Sequence, residues 1–251
     1  MNTNFLHQLT TDLLALGVRP GGVLLAHSSL RSLGHVPGGA ETVIQGLLAA
    51  LGSEGTLLLP ALSYEHVLPE KPIFDVRATP SNVGIIPETF RLRPGVRRSV
   101  HPTHSVCAVG RLAEALLTPH LLDTTPCGPH SPFHVLPSYG GQILMLGCGL
   151  EPNTSMHAIE ELVVPPYLYD PPLEYQLTLA DGTTIRKTYL PHNFRGWIQR
   201  YDRVEHFLTA PALRQGRVLA AEAFLIEASA LWEAALPVLR QNPLYLIDRS
   251  A

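Results

Sequence analysis

Short apolar runs alternate with polar, glycine- and proline-rich stretches along the whole chain, the rhythm of a strand–loop–helix protein. Val23-Leu24-Leu25-Ala26, Thr56-Leu57-Leu58-Leu59, Val106-Cys107-Ala108-Val109 and Gln142-Ile143-Leu144-Met145-Leu146 are continuously apolar or nearly so. Turn residues bound them, as they bound strands that are buried on both faces. Leucines at helical spacing run from Leu6 to Leu16 and stop at Gly17. Val43, Ile44, Leu47, Leu48 and Leu51 form a second stripe, over Glu41 to Leu51. Shorter helices are predicted from about Gly84 to Arg93 and over Leu112 to Leu117. One segment has period two instead: Leu173, Tyr175, Leu177 and Leu179 alternate with polar residues, Asp181-Gly182 makes a turn, and Thr184 to Tyr189 returns. Beyond it, helices are expected over Phe194 to Phe207 and Glu222 to Leu236, with Trp197 and Trp232 in the core. Val218-Leu219 and Leu244 to Ile247 read as closing strands. The pattern predicts an α/β fold: a central, mainly mixed β-sheet flanked by helices. It forms a single domain over 1–251, with a β-hairpin appendage at about 169–193.

The segment after the strand ending at Leu146 carries the most chemistry. Gly147 and Gly149 break the strand, Asn153, Thr154 and Ser155 are each good helix caps, and an apolar periodic run continues to Val164 before Pro165-Pro166. That places His157 in the first helical turn, with Glu160 one turn on along the same face. Ligands of open α/β sheets bind where a strand gives way to a helix. A histidine there can take a proton near neutral pH, and a neighbouring carboxylate can fix its tautomer. The plain alternative is that His157 caps or packs.

Composition narrows the classes. Of 251 residues, 45% are hydrophobic and the formal net charge is -3. That is enough chain for a large core and too little basic excess for a nucleic-acid or membrane surface. No apolar run reaches the roughly 20 residues of a membrane span, and Met1 to Thr11 has no basic-then-apolar leader pattern. Three cysteines without a CxxC spacing fit reduced thiols. A cytoplasmic protein, monomer or homodimer, with a small-molecule partner is expected.

Other stretches hold candidate site residues. His27-Ser28-Ser29-Leu30-Arg31-Ser32-Leu33-Gly34 follows the first strand and precedes a helix, so hydroxyls, backbone N–H groups and a helix N-terminus suit a phosphate, with Arg31 as a bidentate partner. It is neither a GxGxxG nor a P-loop, and such polar loops are common in α/β proteins. Ala61 to Asn82 is a long loop holding Glu65, His66, Glu70, Asp75 and Arg77, either a substrate lip or a solvated connection. His101, His104 and Cys107 stand three apart and are each competent zinc ligands, but nothing nearby completes a zinc pattern. Phosphate binding by Arg97 and Arg98, or simple turn structure, is the stronger reading there. His192 sits where the hairpin ends.

Taken in order, these pieces resemble the aminoglycoside 3-N-acetyltransferase family. The matching stretches are Gly22-Val-Leu-Leu-Ala-His27-Ser28-Ser29-Leu-Arg-Ser-Leu-Gly34, Gly39 to Ile44, Gly55-Thr-Leu-Leu-Leu-Pro60, Phe74-Asp75 with Thr79-Pro80-Ser81, Pro94 to Pro102, Ser131-Pro132, and Gly147 to Glu160. Together they span roughly Leu13 to Tyr189. The resemblance implies acetyl-CoA as co-substrate and direct acetyl transfer to an amine without an acyl-enzyme. It implies His157 as general base, oriented by Glu160. His27, Ser28, Ser29, Arg31 and Gly34, with Ser99, His104 and Ser105, match the coenzyme-binding side. Glu65, Asp75 and His192 fall on the acceptor side. There the chain departs from the family: Pro191-His192-Asn193 stands at the hairpin exit where an acid is usual, and the His104/Cys107/Cys127/Cys148 set is not part of the pattern. The acceptor is thus an aminoglycoside, through its 3-amino group, or another amine. Two other readings stand beside this one: a metal-dependent hydrolase using His101, His104, Cys107 or His157, and a non-catalytic coenzyme-binding protein on the same scaffold.

Overall fold

The structure, a computed structural model, describes residues 3–250. The first half alternates helix and strand: α1 (Thr3–Leu16), β1 (Val23–Ser28), α2 (Gly39–Leu51), β2 (Thr56–Pro60), β3 (Ile73–Asp75) and α3 (Ile85–Arg91). Next come β4 (Arg97–Arg98), β5 (Val106–Gly110), α4 (Ala113–Leu117), α5 (Pro132–Val135), β6 (Gln142–Leu146) and α6 (Ser155–Glu160). The hairpin β7 (Leu173–Thr178) and β8 (Thr184–Tyr189) follows, then β9 (Trp197–Gln199), β10 (Leu213–Val218), β11 (Ala221–Glu227), α7 (Ala228–Gln241) and β12 (Ile247–Arg249).

Seven strands form the main sheet in the order β10-β11-β6-β1-β2-β5-β4. β1 lies in its middle, parallel to β6 on one side and β2 on the other, while β11 and β5 run antiparallel outside them. The sheet is mixed, as the pattern predicts. Alternation along the strands sends Leu25, Leu58, Ile143 and Met145 to one face, where Ile159, Leu231 and Leu239 cover them. Leu24, Leu57, Leu59 and Leu144 go to the other, against Leu9, Leu13, Val43, Leu47 and Phe90. Both faces are buried, which is why the strand segments read as unbroken apolar runs.

After β1 the chain passes through α2 to β2. After β6 it turns the other way, through α6 and eventually to β11. The carboxyl ends of β1 and β6 therefore diverge, and a crevice opens where their connections part.

The hairpin is not free-standing. β3 joins its edge, parallel to β7, so the long stretch from Ala61 to Asn82 contributes a strand rather than a plain loop. Phe74, Tyr175, Leu177 and Tyr189 make the core of this three-stranded sheet.

Four expectations near the C-terminus are corrected. Phe194 to Phe207 is not a helix: it holds β9, paired with β12, and a 3-10 turn over Tyr201–His206. Trp197 is on that strand, with the Arg249 guanidinium 3.7 Å above its ring. Residues 222–227 are the strand β11, and the helix starts only at Ala228. The run Ala223-Phe224-Leu225-Ile226 fits either period, and pairing against β6 decides it. The strand expected at Val218-Leu219 starts earlier, at Leu213, and Leu219 lies in the turn at φ 54°. The last strand begins at Ile247 rather than Leu244.

Two core histidines make the fold sensitive to acid. His27 is the penultimate residue of β1, and His120 lies between the Ser99 hydroxyl at 2.9 Å and the Pro126 carbonyl at 3.2 Å. Burial, as the larger cause in each, pushes both down to about 3. The unfolded chain takes up protons near pH 6.5 while these two rings stay neutral, so their contribution is present above that pH and is lost as pH falls from there toward 3. Each is expected to remove about 2 kcal/mol of stability between pH 7 and pH 5. Thermal midpoints measured at intervals across that range check it; a flat profile down to pH 5 would contradict it.

Candidate active site

A cavity of about 460 Å3 occupies the crevice at the ends of β1 and β6. His27 and Ser28 form its floor from β1, and Cys148 and Thr154 come from the connection after β6. His157 projects into it from α6, His104 from the loop before β5, and His192, Phe194 and Tyr201 from the segment after the hairpin. Tyr64 and Val83 close the side nearest β2.

The turn that delivers His157 has strict backbone needs. Gly147 sits at φ 72°, and a Cβ there would come within 2.7 Å of the Ser32 Cβ. Only glycine allows β6 to end against that neighbouring loop. Asn153 then accepts a hydrogen bond from the Ser155 N–H at 3.2 Å, fixing the start of α6. α6 is only six residues long, and every one is buried. Its position is set by packing rather than by helix propensity.

His157 and Glu160 meet as the i, i+3 spacing predicts, Nδ1 standing 2.8 Å from Oε2. Glu160 is 0% exposed. Two tyrosines share the carboxylate: Tyr167 donates to Oε1 at 2.7 Å and Tyr201 to Oε2 at 2.8 Å. With Nδ1–H given to Glu160, the Nε2 lone pair of His157 is left for the cavity. Phe194 packs on the same ring, its centroid 4.9 Å away. The arrangement can take a proton from a bound group and hold the resulting imidazolium against a carboxylate.

Around this pair the pocket is rich in neutral imidazole. His104 and His192 are held well below the usual histidine range, chiefly by burial and then by the neighbouring rings. His104 Nδ1 lies 2.9 Å from the Thr103 hydroxyl, and His192 Nε2 lies 2.8 Å from Glu161 Oε1. Glu161 also accepts from the Thr125 hydroxyl and the Cys127 N–H, and burial raises its pKa. The Cys148 thiol is pushed up to about 12 by burial, so it is not a nucleophile near neutral pH.

Other candidates lie elsewhere. Ser99 and Ser105 are buried behind the cavity: Ser99 Oγ meets His120 and accepts from Val106 N–H, and Ser105 Oγ donates to the Ala61 carbonyl. Arg98 is filled by the carbonyls of Ala61 and Thr79 and by Ser105 Oγ, while exposed Arg97 pairs with Glu114 at 3.0 Å. Neither arginine faces the cavity. Asp75 closes a turn, accepting from the Arg77 and Ala78 N–H groups, and Glu65 is exposed next to the lining residue Tyr64. Ser29 accepts from the Ser32 hydroxyl at 3.0 Å, Arg31 is exposed, and Gly34 turns the chain at φ 80°.

The grouping of His101, His104 and Cys107 does not survive folding. Cys107 packs on the opposite face of the sheet, and His101 Nδ1 accepts from the Thr103 and His104 N–H groups, so it scaffolds the loop that presents His104. No motif or spacing in the sequence points to Tyr167, Tyr201 or Glu161. Tyr201 falls in a segment whose spacing suggests a helix, and Glu161 is one step from Glu160, on another face.

Known proteins resemble this chain over most of its length. The family model described as aminoglycoside 3-N-acetyltransferase matches residues 25–240. The aminoglycoside N(3)-acetyltransferase IV of Salmonella sp is 35% identical over 246 residues, covering 96% of this chain and 89% of that one. A crystal structure of aminoglycoside acetyltransferase AAC(3)-IVa, a histidine-to-alanine mutant in complex with a gentamicin, superposes with a TM-score of 0.82 at 34% identity, over 96% of this chain and 90% of its own. A binary complex of AAC-IIIb with CoASH gives 0.82 at 28% identity, over 94% and 96%.

Tyr201→Phe removes one donor from a fully buried carboxylate and leaves the ring packing intact. It is expected to cost about 1.5–3 kcal/mol of folding stability, the range for a hydrogen bond to a charged group. Urea denaturation of the purified variant measures it, and a loss below about 0.5 kcal/mol would mean that the bond contributes little.

Proposed function

The chain belongs to the aminoglycoside 3-N-acetyltransferase family, and from that premise we propose that it moves the acetyl group of acetyl-CoA directly to the 3-amino group of an aminoglycoside, with His157 as general base. Such acetylation is an antibiotic-resistance reaction. The observation that carries the reading is the His157–Glu160 pair on the cavity wall, 2.8 Å apart, with Nε2 of His157 left open.

The cavity suits a thioester and its amide-bearing arm. Ser28 Oγ and His27 Nε2 are buried polar atoms with no hydrogen-bond partner among the described residues, and both residues line the cavity. Unpaired buried polar groups are costly, so a ligand that satisfies them gains affinity. Bound there, acetyl-CoA supplies an activated carbonyl for the amine to attack. The exposed Arg31 and the N-terminus of α2 lie on the same loop and suit the coenzyme's phosphates.

His157 Nε2 takes the proton that the acceptor amine must lose before or as it attacks. Glu160 stabilises the imidazolium that forms and keeps Nδ1 as the protonated nitrogen. Tyr167 and Tyr201 fix that carboxylate by donating to both its oxygens. The proton on His157 then returns to the departing thiolate. Phe194, Tyr64 and Val83 exclude water from the transfer. Glu151 lines the cavity and faces the ammonium groups of a polycationic acceptor, with exposed Glu65 beyond Tyr64 as a second acidic contact and His192 as a neutral one.

All of these residues come from one chain, so monomer and homodimer serve equally. No helix among the described residues is long and apolar enough to cross a membrane. We place the protein in the cytoplasm, where acetyl-CoA is supplied and where Cys107, Cys127 and Cys148 stay free.

Acetylation of an aminoglycoside by the purified protein tests the reading. His157→Ala is expected to lower kcat by 10²-fold or more with acetyl-CoA binding retained, following the usual worth of a positioned base, about 10²–10⁴-fold. Glu160→Gln keeps the shape, loses the preferred tautomer, and is expected to lower kcat over the same approximate range. Wild-type turnover by His157→Ala would end the base assignment; no acetylated product with any aminoglycoside would end the substrate assignment. Glu151→Gln is expected to raise KM for the aminoglycoside several-fold and leave KM for acetyl-CoA unchanged.

A further inference from the structure

Three imidazoles reach the same point of the cavity from three separate elements. His104 comes from the loop before β5, His157 from α6 and His192 from the segment after β8. One ring nitrogen of each lies within 4.8 Å of those of the other two. Each ring is also held from behind. Thr103 Oγ1 sits 2.9 Å from His104 Nδ1, Glu160 Oε2 2.8 Å from His157 Nδ1, and Glu161 Oε1 2.8 Å from His192 Nε2. The opposite nitrogens, Nε2 of His104 and His157 and Nδ1 of His192, make no hydrogen bond among the described residues. His192 Nδ1 is a fully buried atom with no partner, on a side chain only 3% exposed.

We propose that His104, His157 and His192 form a binding site for a divalent transition-metal ion of the zinc type, and that occupancy of the site switches acetyl transfer off. The inhibitory half rests on His157 being the base, because a metal bound at Nε2 takes the lone pair that would accept the proton.

The donor set favours such an ion. Three imidazoles with a fourth position open to a cavity is a common zinc arrangement, and nitrogen donors exclude magnesium and calcium, which take oxygen. Histidines that ligate zinc usually give their other nitrogen to a carboxylate or another acceptor, as Glu160, Glu161 and Thr103 provide here. Zinc–nitrogen bonds of about 2.0–2.1 Å in a tetrahedron put the nitrogens about 3.4 Å apart, so the rings must close by roughly 1 Å. His192 is bridged to Tyr169 through its backbone, so that closing falls to rotation of the imidazole side chains rather than to movement of the chain.

The test begins with cobalt(II) titrated into chelator-treated wild-type protein. A visible absorption of tetrahedral type is expected, saturating at one equivalent. His104→Gln and His192→Gln are expected to weaken that binding by at least tenfold, the scale on which shells around metals matter. Acetylated product is then counted by mass spectrometry with zinc added, because zinc also binds free thiols. Saturable inhibition of the wild type is expected, and at least tenfold more zinc is expected for half-inhibition of either variant relative to its own zinc-free rate. No saturable cobalt signal, or a signal unchanged in both variants, would overturn the site. Cobalt bound at one equivalent with turnover untouched would overturn the inhibitory half. The zinc-free rate of His157→Ala separates this from a failure of the functional reading: loss of turnover there keeps His157 as base whatever the metal does, and full turnover removes the base itself.

Discussion

A carboxylate buried to zero exposure needs partners or it unfolds the protein around it. Glu160 is that group, and three elements come together to satisfy it. α6 supplies His157, the chain after α6 supplies Tyr167, and the 3-10 turn after β9 supplies Tyr201. Each of these contacts also shapes the cavity. Tyr201 and His157 line it directly, so the packing that satisfies Glu160 also sets the direction of the open imidazole nitrogen.

The surrounding imidazoles give the pocket a second property. His104 and His192 are held neutral by burial, and His27 and His120 are pushed down to about 3. A site packed with neutral nitrogens presents lone pairs and polarisable rings without repelling a cation. This suits an acceptor that arrives positively charged and must lose a proton. The same lone pairs suit a metal ion, and the two demands meet at His157.

At the hairpin exit His192 stands on the cavity wall with Glu161 directly behind it at 2.8 Å, so a carboxyl group lies one side chain back from the pocket. Cys148, also on the cavity wall, has its thiol pushed up by burial, so it stays protonated near neutral pH.

The apolar runs by themselves determined the layered α/β fold, the buried strands of the main sheet and the β7–β8 hairpin, because period and burial write directly into residue type. The Gly147 turn and the i, i+3 pair of His157 and Glu160 were legible for the same local reason. What only tertiary structure decided was which distant residues meet. Tyr201 joins Glu160 across 41 positions, and His192 meets Glu161 across 31; no spacing rule reaches that far. The run from Ala223 to Ile226 fits helix or strand until β6 offers it a partner. His101, His104 and Cys107 look like a cluster because they are near in sequence, yet the sheet puts Cys107 on its other face and brings His104 to His157 and His192 instead. Periodicity and local turns are written in neighbouring residues; the site is set by the shared burial of separate segments.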